Sequence, residues 1–260
     1  CRLLVDPGLS PNTIRKHHIL LHTSLQQALR QGLIPFNPVD LLPTPRPAPV
    51  RPRYYTPQQL SRLLLEVEGH PLELPVKLAC FLGLRRSELL GLRWRDVDLE
   101  SGLLSVRQVR TTVGHSVVEK QPKTEGSCRT LSIQPLKGLL SLLCRLQTQR
   151  RQRGIPCGPD DLLVLNARNQ PYHPNVLSAA FSDFAASRGL PDITLHGLRH
   201  TFASMASNAR VPLYQISRAM GHSSPSTTQR IYTHLFDPPH GEVLAAVAAA
   251  IPPPSSPEHE

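Results

Sequence analysis

The chain has 260 residues, 40% of them hydrophobic and 18% charged, and it carries a formal net charge of +10. No apolar run approaches the roughly 18 residues that a membrane-spanning helix needs, and the length suits one large domain or two small ones. A chain this basic is expected to bind a polyanion, although charge alone leaves a merely basic protein as an alternative.

The first predicted element is a helix that begins after Ser10 and ends at Gly32. Ser10 suits the N-cap, Pro11 suits the first helical position, and glycine is typical just past a helix end. The segment shows helical periodicity, with steps of about four between Ile14, His18, Leu21, Leu25 and Leu29. Residues 35–53 contain seven prolines and several arginines, so we expect an extended basic linker there.

The rest of the chain predicts helices on both sides of a β-rich segment. Thr56 and Gln59 form a capping-box pattern that starts the first of these helices. Periodicity predicts helices at 57–67, 72–83, 86–92, 136–151, 174–187, 196–208, 212–220, 225–235 and 242–251, and strands at 103–107, 115–119, 129–133 and 162–165. This order predicts a mainly α fold with a small antiparallel β-sheet, in the α+β class.

His196 and Arg199 are suited to phosphate chemistry, because they lie three residues apart on one face of a predicted helix. A guanidinium can bind two phosphate oxygens, and a neighbouring imidazole can donate or accept a proton there. His200 lies four residues after His196, which suggests zinc, but the glutamate of the zincin pattern is missing. Burial of these side chains within the fold is the other alternative.

His222 and Tyr232 are further candidates for the same chemistry. The segment 211–234 reads as helix, turn, helix, so a DNA-binding helix-turn-helix is the alternative for these residues taken alone. A tyrosine hydroxyl ordinarily has a pKa of about 10, so nearby arginine or protonated histidine is needed to favour the phenolate that attacks phosphorus. A tyrosine near a helix end is otherwise a packing residue.

Arg85 and Lys123 lie far upstream and supply groups that the C-terminal residues lack. A second arginine would complete a clamp on a phosphodiester as charge builds in the transition state. Arg85 lies at the junction of two predicted helices, where a solvated basic turn is the alternative. Lys123 lies in a turn between two predicted strands, where an ammonium group can enter a DNA groove or protonate a leaving oxygen. A surface lysine in a hairpin is its alternative.

The five cysteines favour free thiols over a disulfide framework or a cysteine-based zinc site, because their number is odd and no C-x-x-C pair occurs. Free thiols suit a reducing cytoplasm, which is the expected location. The first ten residues lack the order of a signal peptide. The chain begins with Cys1, so we expect a piece of a longer protein.

Together these segments resemble the tyrosine recombinase, or phage integrase, family. The matching pieces stand in the family's order and read GLRRSELLGLRWRDVD, PKT before a strand, HGLRHTFAS, and MGHSSPSTTQRIYTH. The resemblance covers about residues 54–236. It implies catalytic roles for Arg85, Lys123, His196, Arg199, His222 and Tyr232, and supporting roles for Glu88 and His200.

The resemblance also implies a division of the chain into four parts. Residues 1–45 would be the C-terminal remnant of a helical core-binding domain, and 46–53 a linker rich in proline and arginine. Residues 54–236 would be a catalytic domain with the tyrosine recombinase fold. Residues 237–260 would be a tail with a short helix followed by a disordered end.

The implied function is site-specific recombination of double-stranded DNA through a 3′-phosphotyrosyl bond to Tyr232, with no cofactor and no metal ion. In the family, four protomers act together on two duplexes. The helix at 242–251 has a narrow apolar stripe that would dock on a neighbouring protomer, or on its own domain. A catalytically inactive DNA-binding protein of the same fold and a type IB-like topoisomerase are the alternative functions.

Overall fold

The computed structural model of the chain describes residues 8–44, 53–114, 116–122 and 127–222. These residues form two compact units, divided between Arg51 and Pro52. Helices with small antiparallel sheets make up the described part, which confirms the predicted fold class. Within it, no helix is long and apolar enough to cross a membrane. The helices predicted at 225–235 and 242–251 lie outside the described residues.

The N-terminal unit is built from helix α1, Pro11–Arg30, and a 3-10 helix, Pro38–Leu41. Ser10 Oγ accepts a hydrogen bond from the Thr13 N–H at 3.2 Å, which confirms Ser10 as the N-cap. Just past the end of α1, Gly32 has a positive φ of 72°, a conformation that favours glycine. The sequence therefore predicted both ends of this helix.

The periodic positions of α1 differ in burial. Ile14 and His18 are buried, but Leu21 is 52% exposed. The chain that follows α1 returns along the face of His22, whose carbonyl oxygen accepts a hydrogen bond from Asn37 Nδ2 at 3.2 Å. Leu21 lines an open cavity together with Val39 and Leu42 of the returning segment, so it lies at the margin of the covered face.

The second unit packs its helices around one large hydrophobic core. Its described α-helices are α2 (Pro57–Glu66), α3 (Glu73–Leu82), α4 (Arg86–Gly91), α5 (Lys137–Gln152), α6 (Pro174–Ser187), α7 (Leu195–Asn208) and α8 (Leu213–Met220). The predicted capping box of Thr56 and Gln59 is confirmed, with hydrogen bonds of 3.3 and 2.9 Å. Helix α3 is buried on almost all sides and packs along α7, so this pair forms the centre of the core.

Short strands in the described part of this unit form two separate antiparallel sheets. Strands β1 (Val97–Asp98), β2 (Leu103–Val106) and β5 (Arg129–Ser132) pair in the order β1-β2-β5, and β3 (Val109–Val113) pairs with β4 (Ser116–Lys120) as a hairpin. Val106 of β2 faces Arg129 of β5. This register puts Arg129 at the end of the sheet where the chain leaves β2 for β3.

The sequence pattern predicted no strand at 109–113, and this was wrong. The predicted strand at 103–107 corresponds to β2, but the chain leaves the first sheet after Val106 and begins β3 at Val109. The segment between the strands approaches α4 closely, since a Cβ on Gly91 would lie 2.7 Å from Gln108 O. A tertiary contact between two backbones therefore lies where β2 ends and β3 begins.

The strand predicted at 162–165 is also wrong. Leu162 and Leu165 each make a single isolated bridge, to Arg93 and Pro171 respectively. Pro171 has no N–H to continue a ladder, so pairing stops after one bridge. The segment crosses between neighbouring elements without forming a sheet.

Replacement of Leu177 by alanine should lower the free energy of unfolding of this unit by about 2–5 kcal/mol, because it leaves a cavity. Leu177 lies on α6 and is fully buried, whereas the adjacent Val176 is 53% exposed. Val176→Ala is therefore the matched control and should change that energy by less than about 0.5 kcal/mol. Urea unfolding followed by the fluorescence of Trp94, the single tryptophan, measures both variants. Equal losses would contradict the assigned core face of α6.

Candidate active site

Arg85 lies at the junction of α3 and α4, as the sequence predicts. Gly83 ends α3 with a positive φ of 59°, and Arg85 is the extended N-cap residue of α4. The main-chain N–H of Arg85 donates to Glu88 Oε2 at 2.9 Å, and its Nη1 donates to Glu88 Oε1 at 2.6 Å. Glu88 therefore fixes both the backbone and the side chain of Arg85.

Arg199 is buried at the centre of the unit, with 1% of its surface exposed. It lies in the second turn of α7, a helix that Thr194 caps by accepting a hydrogen bond from the Gly197 N–H. Its Nη1 donates to Gly83 O, and its Nη2 donates to Met220 O at 2.8 Å. Because a buried charge needs hydrogen-bonding partners, these carbonyl groups stabilise the guanidinium and tie α7 to the ends of α3 and α8.

Three guanidinium groups converge on the C-terminal end of α8, and we call them the arginine cluster. Each donates to one of three consecutive carbonyl groups: Arg129 Nε to Ala219 O (2.7 Å), Arg199 Nη2 to Met220 O (2.8 Å) and Arg85 Nη2 to Gly221 O (2.7 Å). The last carbonyl groups of a helix have no partner within it, and the helix dipole makes this end negative. Cations from α4, α7 and β5 therefore hold this helix end, and His222 follows it directly.

Glu88 carries the negative charge that balances the arginine cluster. Its side chain is 1% exposed, and it accepts hydrogen bonds from Arg129 Nη1 at 3.2 Å and Nη2 at 2.9 Å as well as those from Arg85. Burial acts to raise the pKa of Glu88, but the hydrogen bonds and charges of Arg129 and Arg85 together lower it below its ordinary value. The carboxylate is therefore ionised and shared by two arginines.

Three histidines beside the arginine cluster have lowered pKa values. His196 and His200 are one turn apart on α7, with ring centroids separated by 4.8 Å. The pKa of each ring is lowered first by partial burial and second by nearby positive charge. These effects lower the pKa of His196 below its ordinary value, the pKa of His200 to about 4 and the pKa of His222 to about 3. These rings are therefore neutral at pH 7, and a neutral imidazole can accept a proton.

An open cavity of about 520 Å³ borders Arg85 and Glu88. The β3–β4 hairpin lines its other side, with Lys120 at the end of β4. Pro122 and Ser127, the described residues on either side of 123–126, also line it. The Arg85 side chain is 34% exposed, so the cavity offers a ligand access to that guanidinium.

The fold brings most of the predicted site residues together. The residues around the end of α8 are Arg85, Glu88, Arg199 and His222. Helix α7, which carries Arg199, also carries His196 and His200. Lys123 and Tyr232 lie outside the described residues. Within residues 8–44, 53–114, 116–122 and 127–222, no three histidine, cysteine or acidic side chains form a potential metal-binding group.

Arg129 is the member of the arginine cluster that the sequence did not reveal. It begins a predicted strand six residues after Lys123, and an arginine there usually faces solvent. In the structure its side chain is only 8% exposed. Its nearness in sequence to Lys123 is the one available signal, and that signal does not indicate burial.

A sequence profile of the phage integrase family matches residues 53–238. Among curated relatives, a tyrosine recombinase XerC-like protein of Caldanaerobacter subterraneus is 27% identical over 258 residues, which covers 90% of this chain and 65% of the relative. The ICEBs1 integrase of Bacillus subtilis is 25% identical over 241 residues, with coverage of 90% and 64%. The chain therefore spans less than two thirds of the length of these relatives.

Solved structures share the fold of this chain. The Tn1549 transposon integrase in complex with transposon right end DNA matches with a TM-score of 0.78 at 23% identity, covering 95% of this chain and 81% of that one. A lambda integrase dimer bound to a COC′ core site matches with a TM-score of 0.63 at 18% identity, covering 91% and 62%. The predicted tyrosine recombinase fold is therefore confirmed.

Replacement of Glu88 by glutamine should lower the free energy of unfolding at pH 7 by about 3 kcal/mol, because it leaves buried Arg129 and partly exposed Arg85 without their shared carboxylate. Glu66 pairs with Arg188 at 3.6 Å near the surface, so Glu66→Gln is the control and should cost about 0.5 kcal/mol or less. Urea unfolding measures both variants. If Glu88→Gln cost no more than the control, Glu88 would not balance the cluster.

The free energy of unfolding should fall as the pH drops from 7 to 5. The folded-state pKa values of His200 and His222 lie below the ordinary value of 6.5, so the unfolded chain binds more protons in this range. Urea unfolding at a series of pH values measures the slope. His200→Asn should reduce it, since one of the neutral rings is gone. An unchanged slope in this variant would show that His200 titrates normally in the fold.

Proposed function

Because this chain belongs to the phage integrase family, we propose that it is a site-specific DNA recombinase that cuts and rejoins strands through a 3′-phosphotyrosyl intermediate. The observation that carries the proposal is the convergence of Arg85, Arg199 and His222 at the end of α8, beside an open cavity. The formal net charge of +10 supports double-stranded DNA as the substrate.

The arginine cluster supports binding of a phosphodiester in its transition state. A guanidinium has five N–H groups, so the bonds from Arg85 to Glu88 and Gly221 leave donors for a phosphate oxygen. Arg199 adds a second positive charge from a rigid, buried position. Groups that are already fixed before the reaction stabilise developing charge without reorganising, which is the main source of catalysis in this kind of site.

Tyr232 is the proposed nucleophile. Its phenolic oxygen attacks the phosphorus, the bond from phosphorus to the 5′-oxygen breaks, and a 3′-phosphotyrosyl bond forms. The neutral ring of His196 accepts the phenolic proton, and Lys123 donates a proton to the leaving 5′-oxygen. His222 donates to a phosphate oxygen. In this scheme Glu88 and His200 support the site, Glu88 through its bonds to Arg85 and His200 through its contact with the His196 ring.

A 5′-hydroxyl of a second duplex then attacks the phosphotyrosyl bond and restores a phosphodiester. The energy of the broken ester is kept in the intermediate, so the exchange needs no ATP. We propose that four protomers assemble on two duplexes, with the predicted helix at 242–251 docked on a neighbour. We also propose a cytoplasmic location, because bacteria such as those that carry the relatives keep their DNA there.

The wild-type chain should form a covalent adduct with nicked suicide duplexes, and Tyr232→Phe should form none. The duplexes carry randomised sequence around the nick, so that the target site is selected in the same experiment. The short strand with the new 5′-hydroxyl diffuses away and traps the intermediate. Denaturing gels detect the adduct, and sequencing of the bound DNA identifies the site. Tyr214 is 59% exposed on α8, so Tyr214→Phe is the matched control and should react like the wild type.

Three outcomes would contradict this proposal. DNA binding without an adduct would favour a catalytically inactive DNA-binding protein. Adducts without sequence preference, together with relaxation of supercoiled plasmid, would favour a type IB-like topoisomerase. An adduct that survives Tyr232→Phe would show that another residue is the nucleophile.

A further inference from the structure

Arg129 donates several hydrogen bonds within the arginine cluster. Its Nε donates to Ala219 O at 2.7 Å, its Nη1 donates to Ser127 O at 3.1 Å, and Nη1 and Nη2 both reach Glu88. One side chain thus joins strand β5, helix α4 and the end of α8. No other contact described above links these three elements through a single group.

Arg129 acts on Arg85 through the carboxylate that they share. Glu88 Oε1 accepts from both Arg129 Nη1 and Arg85 Nη1, at 3.2 and 2.6 Å. Without Arg129, the carboxylate would keep only Arg85 as a charged partner, and the constraint that Arg129 Nη1 and Nη2 place on its two oxygens would be lost. The direction in which the Arg85 guanidinium faces the cavity would then change.

Arg129 also shapes the turn that leads into His222. Gly221 has a positive φ of 65°, and a Cβ at this position would lie 2.4 Å from Arg129 Nη1. The chain therefore passes directly over the guanidinium at the point where α8 ends. The position of His222, one residue later, depends on this contact.

We propose that Arg129 is a positioning residue of the site, which fixes Arg85 through Glu88 and fixes His222 through the end of α8. The role rests on the proposed function, since it concerns the cleavage step that those residues perform. Arg129 itself does not touch the DNA in this scheme. Its contribution is to hold two catalytic groups in one geometry.

The guanidinium is required because of its shape. A planar fork with five donors can bind both oxygens of Glu88 and a main-chain carbonyl group at the same time. A lysine ammonium is a point charge on a flexible stem, so it keeps the charge but cannot make all three contacts. Arg129→Lys therefore separates geometry from charge.

In single-turnover cleavage of the nicked duplex selected above, Arg129→Met should lower the rate about 100-fold, the effect of misplacing catalytic groups by about 1 Å. The DNA dissociation constant should change by less than about threefold, because the proposed phosphate contacts remain. Arg129→Lys should still lose at least about tenfold in rate. Arg150 is the matched control, since it is also buried and bonds to two main-chain carbonyl groups far from the site. Arg150→Met should cleave at the wild-type rate.

Unfolding measurements decide which variant is informative. If Arg129→Met does not fold, the Arg129→Lys variant carries the test. A wild-type cleavage rate in the folded Arg129→Lys variant would overturn the proposal. A loss that appears only in DNA affinity, with an unchanged rate, would overturn it too, because it would make Arg129 a DNA contact.

A readout without DNA distinguishes this proposal from the proposed function. In isotope-labelled protein, Arg129→Met should shift the Arg85 Nε–H resonance and raise the pKa of His222. The charges that face His222 from the packed elements are Arg199, Arg85, Arg129 and Glu88, and loss of one cation favours the protonated ring. Arg150→Met should change neither signal. Unchanged signals in Arg129→Met would overturn the positioning role, whereas failure of the wild type to form an adduct would overturn only the recombinase function.

Discussion

The C-terminal end of α8 is the constraint on which the site depends. Three consecutive carbonyl groups at this end accept hydrogen bonds from three arginines, each of which comes from a different element. A helix end offers unpaired acceptors and a partial negative charge, so it can hold several cations that would otherwise repel one another. Gly221 makes the arrangement sterically possible, because any side chain there would collide with Arg129. The geometry of the arginines is therefore set by main-chain atoms.

The electrostatic balance of the site follows from this arrangement. In the part of the chain that the structure describes, Glu88 supplies the carboxylate that Arg85 and Arg129 share, and it is buried and ionised. Partial burial and the positive charges of Arg199, Arg85 and Arg129 keep His222 neutral, and Arg85 borders an open cavity. Such a site is ready for an anion before the anion arrives, and the proposed substrate is a phosphodiester, which gains charge in its transition state.

The sequence predicted most helix positions and the reactive groups of the site. It did not predict which parts of the chain come into contact in the fold. Capping residues and periodicity predicted α1, α2 and α6 well, because these signals act within a few residues. The strand β3 was missed because it forms after the chain leaves the first sheet beside Gly91 and pairs with β4 instead. The spacing of α1 did not show that Leu21 is 52% exposed, because its exposure depends on how closely Val39 and Leu42 approach it.

By itself, the sequence determined the set of reactive side chains and their resemblance to one family. It also determined that His196 and Arg199 lie on one helix face. The tertiary structure alone decided that Arg85 reaches a carbonyl group 136 residues away, and that Arg129 belongs to the same cluster. The reason is physical. Every residue carries a carbonyl oxygen, so a hydrogen bond from a guanidinium to the main chain is not marked by any residue type at the accepting position. Only the folded chain shows which carbonyl groups remain unpaired and which arginines reach them.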